Sequence, residues 1–426
     1  MGSDTLGFFT SLSEKYGDVV HLRIGVKDVI MVNEPDLICE ILTDAHRIFT
    51  KGRVLEISKH LLAEGLLTSE GEIHQQQRRS VQPAFHKDRI VAYANVATNY
   101  SARAQTTWND NDIRDIAKEM AQLTLGIAGK ALFDSDLSNE AQDIREALSD
   151  ALGLLRWMML PVPSRLINSI PHFRRRFQTA RGRLDQTIYR LISEHRANPS
   201  TYDDLLSMLL ASQEENGRAK ITDTHIRDQV LTILMAGHET MANALTWTWY
   251  LLSENPECEA ELHRELDTIL DGRLPTFEDV SRLRYARSVL AESFRLYPPA
   301  WAIGRKALSE FKLRDYVIPA GSMLMLCQFI VHRDPRYFSQ PDRFYPERWS
   351  EPSAEQRPKF AYFPFGGGPR VCIGESFAWM EGVLILATLA SQWRLVLVEG
   401  HPVRTQPFIT LRPKYGMKMT LRRRIR

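Results

Sequence analysis

A mainly α fold with a minor β region, built as one domain, is what this sequence predicts. Long stretches carry the apolar spacing of helices, above all 222–252 and onward to Tyr297. Short alternating pieces of strand character are confined to a region near the N-terminus and to the last third of the chain. No internal repeat and no low-complexity linker interrupts the whole.

Taken in order, Asp18 to Gly25 alternates and is followed by Val29 to Val32, which predicts two strands joined by a turn. From Glu34 to about Asp150 the spacing is mostly helical, and Lys51 to Glu70, with several helix-poor residues, is expected as a loop over a pocket. Helices are expected over Asp203 to Gln213 and Thr222 to Leu252. Asn255-Pro256 suits a helix start, since Asn accepts orphan N–H bonds and proline is tolerated in the first turn. After Pro298-Pro299, strands are expected over Phe311 to Ile318 and Met323 to Phe329, separated by the turn Pro319-Ala320-Gly321. A further helix begins near Gly374, and Trp393 to Leu421 alternates again.

Composition narrows the class. The 426 residues are 44% hydrophobic and 25% charged, ordinary for a chain that buries a large interior. A net charge of +2, from 54 basic and 52 acidic residues, gives no global attraction to nucleic acid. Cys39, Cys258, Cys327 and Cys372 show no CxxC spacing, which argues against a disulfide framework or a zinc site and fits a reducing cytoplasm. No run of about 18 apolar residues occurs, so a soluble cytoplasmic protein is expected. Residues 1–15 are expected to be an N-terminal leader or expression remnant, which leaves a removed anchor open. Residues 16–426 would form the domain proper.

The most informative segment is Phe365-Gly366-Gly367-Gly368-Pro369-Arg370-Val371-Cys372-Ile373-Gly374. A lone cysteine follows a glycine-rich turn and precedes an apolar helix. Glycines allow close backbone approach, and the positive end of the next helix favours a thiolate. A glycine-flanked cysteine taken alone is more commonly a buried, inert thiol.

Other segments carry paired chemistry. Ala236-Gly237-His238-Glu239-Thr240 sets an acid beside an alcohol midway along the long helix, among Leu231, Ile233, Leu234, Met235, Ala242 and Leu245. Glu292-Ser293-Phe294-Arg295 places carboxylate and guanidinium on one helix face, flanked by Leu290 and Leu296. Pro346-Glu347-Arg348-Trp349 follows downstream. Gly71 to Arg79 holds His74 and Arg78 at i,i+4. Each pair alone is compatible with an ordinary solvated helix face.

Together and in this order, these segments resemble the cytochrome P450 family. The cysteine segment matches FxxGxRxCxG, with Ala378 and Glu381 continuing the family's helix; Glu292/Arg295 matches ExxR; Pro346-Glu347-Arg348 resembles the later PERF element. Ala236 to Thr240 resembles the oxygen-activation motif, departing from it at Met241, where Thr or Ser is frequent. His74 stands where Trp is frequent, and His332-Arg333-Asp334-Pro335 matches a further structural landmark. The resemblance spans nearly the whole chain and is sharpest from Thr232 to Glu381.

The resemblance implies a single-domain fold enclosing a haem between two central helices. Haem b (iron protoporphyrin IX) is the implied cofactor, with Cys372 as the iron's thiolate ligand, a ligand that favours O–O cleavage. Phe365 and Gly374 would flank the sulfur, while Arg370, Arg305, His74 and Arg78 would contact haem carboxylates. Glu239 and Thr240 would be the catalytic proton-handling residues. Glu292, Arg295 and Arg348 would be scaffolding.

The implied activity is monooxygenation: O2 activation with externally supplied electrons, and hydroxylation or epoxidation of a lipophilic fatty acid, terpenoid, steroid or polyketide. Substrate-facing candidates are Ile57 to Leu66, Leu154 to Leu160, Leu234, Ala236, Ala300 to Ile303, and Phe408 to Ile409. The stripe Leu154, Leu155, Met158 and Met159 is more commonly plain core. Electrons would come from a separate ferredoxin, flavodoxin or flavoprotein reductase, with Lys87, Arg89, Arg78 and Arg79 as a basic docking face for an acidic partner, and the protein itself is expected to be a monomer. A peroxide-using peroxygenase of the same fold and a haem-based sensor are the alternatives.

Overall fold

The structure is a computed structural model that describes residues 4–25, 27–137, 140–158, 170–199, 201–215, 221–350 and 356–424. Its longer helices are α1 Thr5–Tyr16, α2 Arg53–Leu62, α3 Gly71–Val81, α4 Lys87–Ala104, α5 Ile116–Phe133, α6 Ala141–Met158, α7 Pro171–Ala197, α8 Leu205–Glu215, α9 Asp223–Glu254, α10 Pro256–Leu270, α11 Arg284–Leu296 and α12 Glu375–Ala390. The strands are β1 Val19–Ile24, β2 Lys27–Val32, β3 Phe49–Lys51, β4 Ile113–Asp115, β5 Ile303–Ala307, β6 Phe311–Leu313, β7 Tyr316–Ile318, β8 Met323–Leu326, β9 Trp393–Leu397, β10 Thr405–Pro407, β11 Leu411–Pro413 and β12 Lys418–Arg423.

The chain divides into two compact units, Met1–Arg53 with Ala97–Met120 and Thr240–Arg426, and Val54–Val96 with Ala121–Glu239. In the first unit, a sheet of order β1-β2-β8-β5-β3 is antiparallel except for the β2/β8 pair, and β4-β12-β9 form a second sheet. Val32, Leu37, Ile38, Ile41, Leu324 and Leu326 bury one face of the larger sheet. Helix α12 is apolar all round, and every residue from Met380 to Ala390 is buried, as expected for a helix at the centre of a core. The second unit is helical and includes α3, α6, α7 and α8. Among the described residues no helix is long and apolar enough to cross a membrane.

Several expectations change. Residues 1–15, expected as an N-terminal remnant, hold all but the last residue of α1, whose Leu6 and Phe9 are buried. Part of the expected loop over Lys51 to Glu70 is α2: Ile57, Leu61 and Leu62 bury one face, while Lys59 and His60 turn outward, so the polar interruptions occupy the helix's solvent side. Asn255 does precede α10, but its side chain donates to the Leu251 carbonyl (2.7 Å), and its own carbonyl accepts from the amides of Cys258 and Glu259. The helical run expected through to Tyr297 breaks after Leu270, where Asp271 and Gly272 take positive φ. Expected strand Met323 to Phe329 ends at Leu326 and turns into a short helix, Gln328–Val331.

Candidate functional site

Cys372 lies two residues before Gly374, the N-cap of α12, in a loop whose backbone is set by glycine. Gly366 and Gly368 have φ of +73° and +65°, and a Cβ on Gly368 would stand 1.9 Å from the carbonyl oxygen of Leu42. Only glycine lets the loop pass there. The Cys372 amide is held by the Phe365 carbonyl at 3.0 Å, which closes the loop and fixes the cysteine backbone.

Cys372 is exposed, whereas Cys258 and Cys327 are buried, with burial pushing their thiols up to about 11 and about 12. One side of this loop is aromatic. Phe365 meets Phe294 edge-on at 5.8 Å and Trp379 at 5.6 Å, and the Arg287 guanidinium lies 4.3 Å from the Trp379 ring centre. Arg370, in the turn Gly368–Arg370, and Gly374, at the N-cap of α12, are both half-buried.

Behind the loop lies a buried ion network. Glu292 accepts from Nε and Nη2 of Arg295 (2.9 and 2.8 Å), Nε of Arg348 (3.1 Å), the Tyr345 amide (3.0 Å) and the Trp349 indole (3.0 Å). Arg295 also donates to the carbonyls of His332, Pro341 and Arg343, and Arg348 to those of Ser339 and Gln340. Two arginines from distant segments thus tie the meander 332–349 to α11. His332 is buried, its Nε2 accepting from the Phe363 amide, and burial together with the nearby Arg295 and Arg333 charges holds it well below the usual histidine range.

Helix α9 has one uncovered spot. From Ile226 to Trp249 its residues are buried except Ala236, which is exposed, and Gly237 and Thr240, which are half-buried. These positions share one face at the middle of the helix. Glu239 is 8% exposed, His238 donates through Nδ1 to the Leu234 carbonyl (3.0 Å), and Thr124 of α5 donates to the His238 carbonyl (2.9 Å). A Cβ on Gly237 would meet nothing nearer than 3.8 Å.

Two wall segments of the first unit are joined. The Trp301 indole donates to the Phe408 carbonyl (2.9 Å), and the Leu411 amide donates to the Pro299 carbonyl (2.9 Å). Ala300, Ile303, Phe408 and Ile409 are all half-buried, so the structure brings these expected substrate-facing residues together. Arg305 pairs in register with Lys51 and Leu324 and reaches the Gly304 carbonyl at 3.0 Å.

In the second unit, His74 is buried and Arg78 half-buried on one face of α3. Ile57, Leu66 and Leu234 are buried. Leu154, Leu155 and Met158 are buried in α6, whereas Met159 and Leu160 lie outside the described residues. Arg89, expected on a basic docking face, is instead committed to Asp203, donating to its carbonyl and both carboxylate oxygens at 2.5 to 2.8 Å. Lys87 and Arg79 are exposed.

Sequence reasoning passed over Thr124, Trp301 as a staple, and the buried polar pair Gln229 and Thr232. The polar pair left a signal: together with Ala236 and Thr240, these residues recur at i, i+3, i+7 and i+11 on one face of an otherwise apolar helix.

The residues fit a haem. An exposed sulfur on a glycine-fixed loop is a soft iron donor, Arg370 and Arg305 are cations for carboxylates, and α9 leaves a small-residue face uncovered. The cytochrome P450 family model matches residues 3–420. The chain is 38% identical over 415 residues to cyclooctatin synthase of Streptomyces melanosporofaciens, covering 96% of this chain and 90% of that one. It is 37% identical to cyclooctat-9-en-7-ol 5-monooxygenase of the same organism (93% and 86% covered) and 34% identical to pentalenene oxygenase of Streptomyces avermitilis (95% and 90%). A crystal structure of a cytochrome P450 heme domain superposes with a TM-score of 0.89 at 25% identity, over 100% of this chain and 94% of that one. The chain belongs to the cytochrome P450 family.

Proposed function

We propose that this haem-dependent monooxygenase oxidises a cyclic terpenoid. The observation that carries the chemistry is the exposed Cys372 on its glycine-fixed loop; separately, α9 has a mid-helix face that Ala236, Gly237 and Thr240 leave uncovered. The substrate class is supported by relatives that are named for cyclooctatin, cyclooctat-9-en-7-ol and pentalenene. Apolar Ala300, Ile303, Phe408, Ile409, Ile57, Leu66 and Leu234 suit such a molecule.

Bound haem supplies the redox centre at which dioxygen is reduced. Cys372 Sγ, as thiolate, would be the residue that holds the iron, and Phe365 would keep water from the sulfur. Arg370, Arg305, His74 and Arg78 are the residues that would hold the haem carboxylates. Thr240 Oγ1 donates a proton and regains one from solvent by way of the Glu239 carboxyl. A separate ferredoxin, flavodoxin or flavoprotein reductase in the cytoplasm delivers the electrons, with exposed Lys87 and Arg79 among its contacts.

Titrating the ferric haem protein with cyclic terpene hydrocarbons and alcohols, then adding a surrogate reductase, tests the proposal. It predicts a spin-state change on binding and a product one oxygen heavier. Turnover with peroxide but none with reductase would instead establish a peroxygenase. Gas binding without product from any terpenoid would establish a sensor.

A further inference from the structure

The two turns of α9 that immediately precede the uncovered face carry polar side chains with unspent hydrogen-bonding capacity. Gln229 is 3% exposed and Thr232 2%, and both share the face of Ala236. The loop after α2 sits directly on them. The Leu66 amide donates to Gln229 Oε1 at 3.1 Å, which settles which way the amide points and leaves Nε2 turned elsewhere. Gly65 brings its backbone so close that a Cβ there would lie 2.0 Å from Thr232 Oγ1.

Among the described residues neither Gln229 Nε2 nor Thr232 Oγ1 has a hydrogen-bond partner. Their neighbour Asp228 is already spent, its carboxylate accepting from the Glu64 amide (3.3 Å) and Arg227 Nη1 (2.9 Å). A buried amide donor and a buried hydroxyl left unmade each cost about 1–3 kcal/mol. A ligand oxygen that satisfies both recovers that cost.

We propose that Gln229 Nε2 and Thr232 Oγ1 form a binding subsite for a substrate hydroxyl, so that this enzyme acts on a cyclic terpenoid alcohol and not on the parent hydrocarbon. The amide donates to the alcohol oxygen, and the alcohol proton is accepted by Thr232 Oγ1. The substrate then arises from an earlier reaction that installs one hydroxyl. This deepens the terpenoid reading above and rests on it.

The test uses the haem-loaded enzyme, titrated optically with cyclooctat-9-en-7-ol and with the same hydrocarbon skeleton lacking the hydroxyl. The alcohol is expected to bind roughly tenfold or more tightly than the hydrocarbon. Thr232→Val should remove most of that preference while the hydrocarbon Kd stays within about twofold, and Thr232→Ser should restore it. Gln229→Met provides a second arm with the same expected loss. Equal binding of the two ligands, or parallel weakening of both in Thr232→Val, overturns the subsite and leaves the pair as the seat of a structural water. If neither ligand perturbs the haem spectrum, the cyclic-terpenoid reading falls and takes the subsite with it.

Discussion

Glu292→Gln should unfold this protein more effectively than almost any other isosteric change. The carboxylate is fully buried and accepts from Arg295, Arg348, the Tyr345 amide and the Trp349 indole. The amide keeps the shape but removes the only negative charge those hydrogen bonds give to the two guanidinium groups, which are 0% and 1% exposed. Breaking a buried pair by neutralising one partner costs about 3–5 kcal/mol. One amide nitrogen also now faces donors, at about 1–3 kcal/mol. The loss of roughly 4–8 kcal/mol compares with a total stability of about 5–15 kcal/mol for a folded domain. Arg348→Met, which leaves Arg295 paired with Glu292, should lose less, about 3–5 kcal/mol. Urea unfolding of wild type and both variants, followed by fluorescence and haem release, measures the order. A Glu292→Gln protein within about 1 kcal/mol of wild type would refute this account of the network.

Further outcomes are specific to single side chains. Gly368→Ala should cost more than about 3 kcal/mol, since φ is +65° and the new Cβ meets the Leu42 carbonyl at 1.9 Å; haem retention and melting temperature report it. Glu381 on α12 is fully buried, neither oxygen has a partner among the described residues, and burial raises its carboxyl well above the usual 4.5. Its folded state therefore favours the proton, so the protein should lose stability as pH rises from the ordinary carboxylate range towards the raised folded value. Glu381→Gln should flatten that slope in unfolding measured from pH 5 to 8, conditions about those usual for such profiles; an unchanged slope would count against a neutral Glu381. Trp301→Phe removes the bond to the Phe408 carbonyl and should lower stability by only about 1 kcal/mol while changing the ratio of oxidation products, read by chromatography.

Much of the fold was legible because its signals are local. Helix α9 announces itself through apolar periodicity, and Phe365 to Gly374 are contiguous, so glycines, arginine and cysteine could be read as one loop. The i,i+3 spacing of Glu292 and Arg295 was equally local. What completes that pair is not: Trp349 and the carbonyls of His332, Pro341 and Arg343 arrive from 37 to 57 positions away, and no spacing rule encodes them. Helix α2 was misread because half its face is solvated, and Asn255 because its amide bonds backward to Leu251. Arg89 looked like a free surface cation until Asp203, 114 positions away, took it up.

The central claim is that Cys372 is the iron's thiolate ligand, and the carbon monoxide spectrum of the reduced protein tests it most directly. Wild type should show the red-shifted Soret band of thiolate ligation, and Cys372→His, which still offers an iron donor, should bind haem yet show the unshifted band of an imidazole complex. A red-shifted band that survives in Cys372→His would place the ligand elsewhere and contradict the claim.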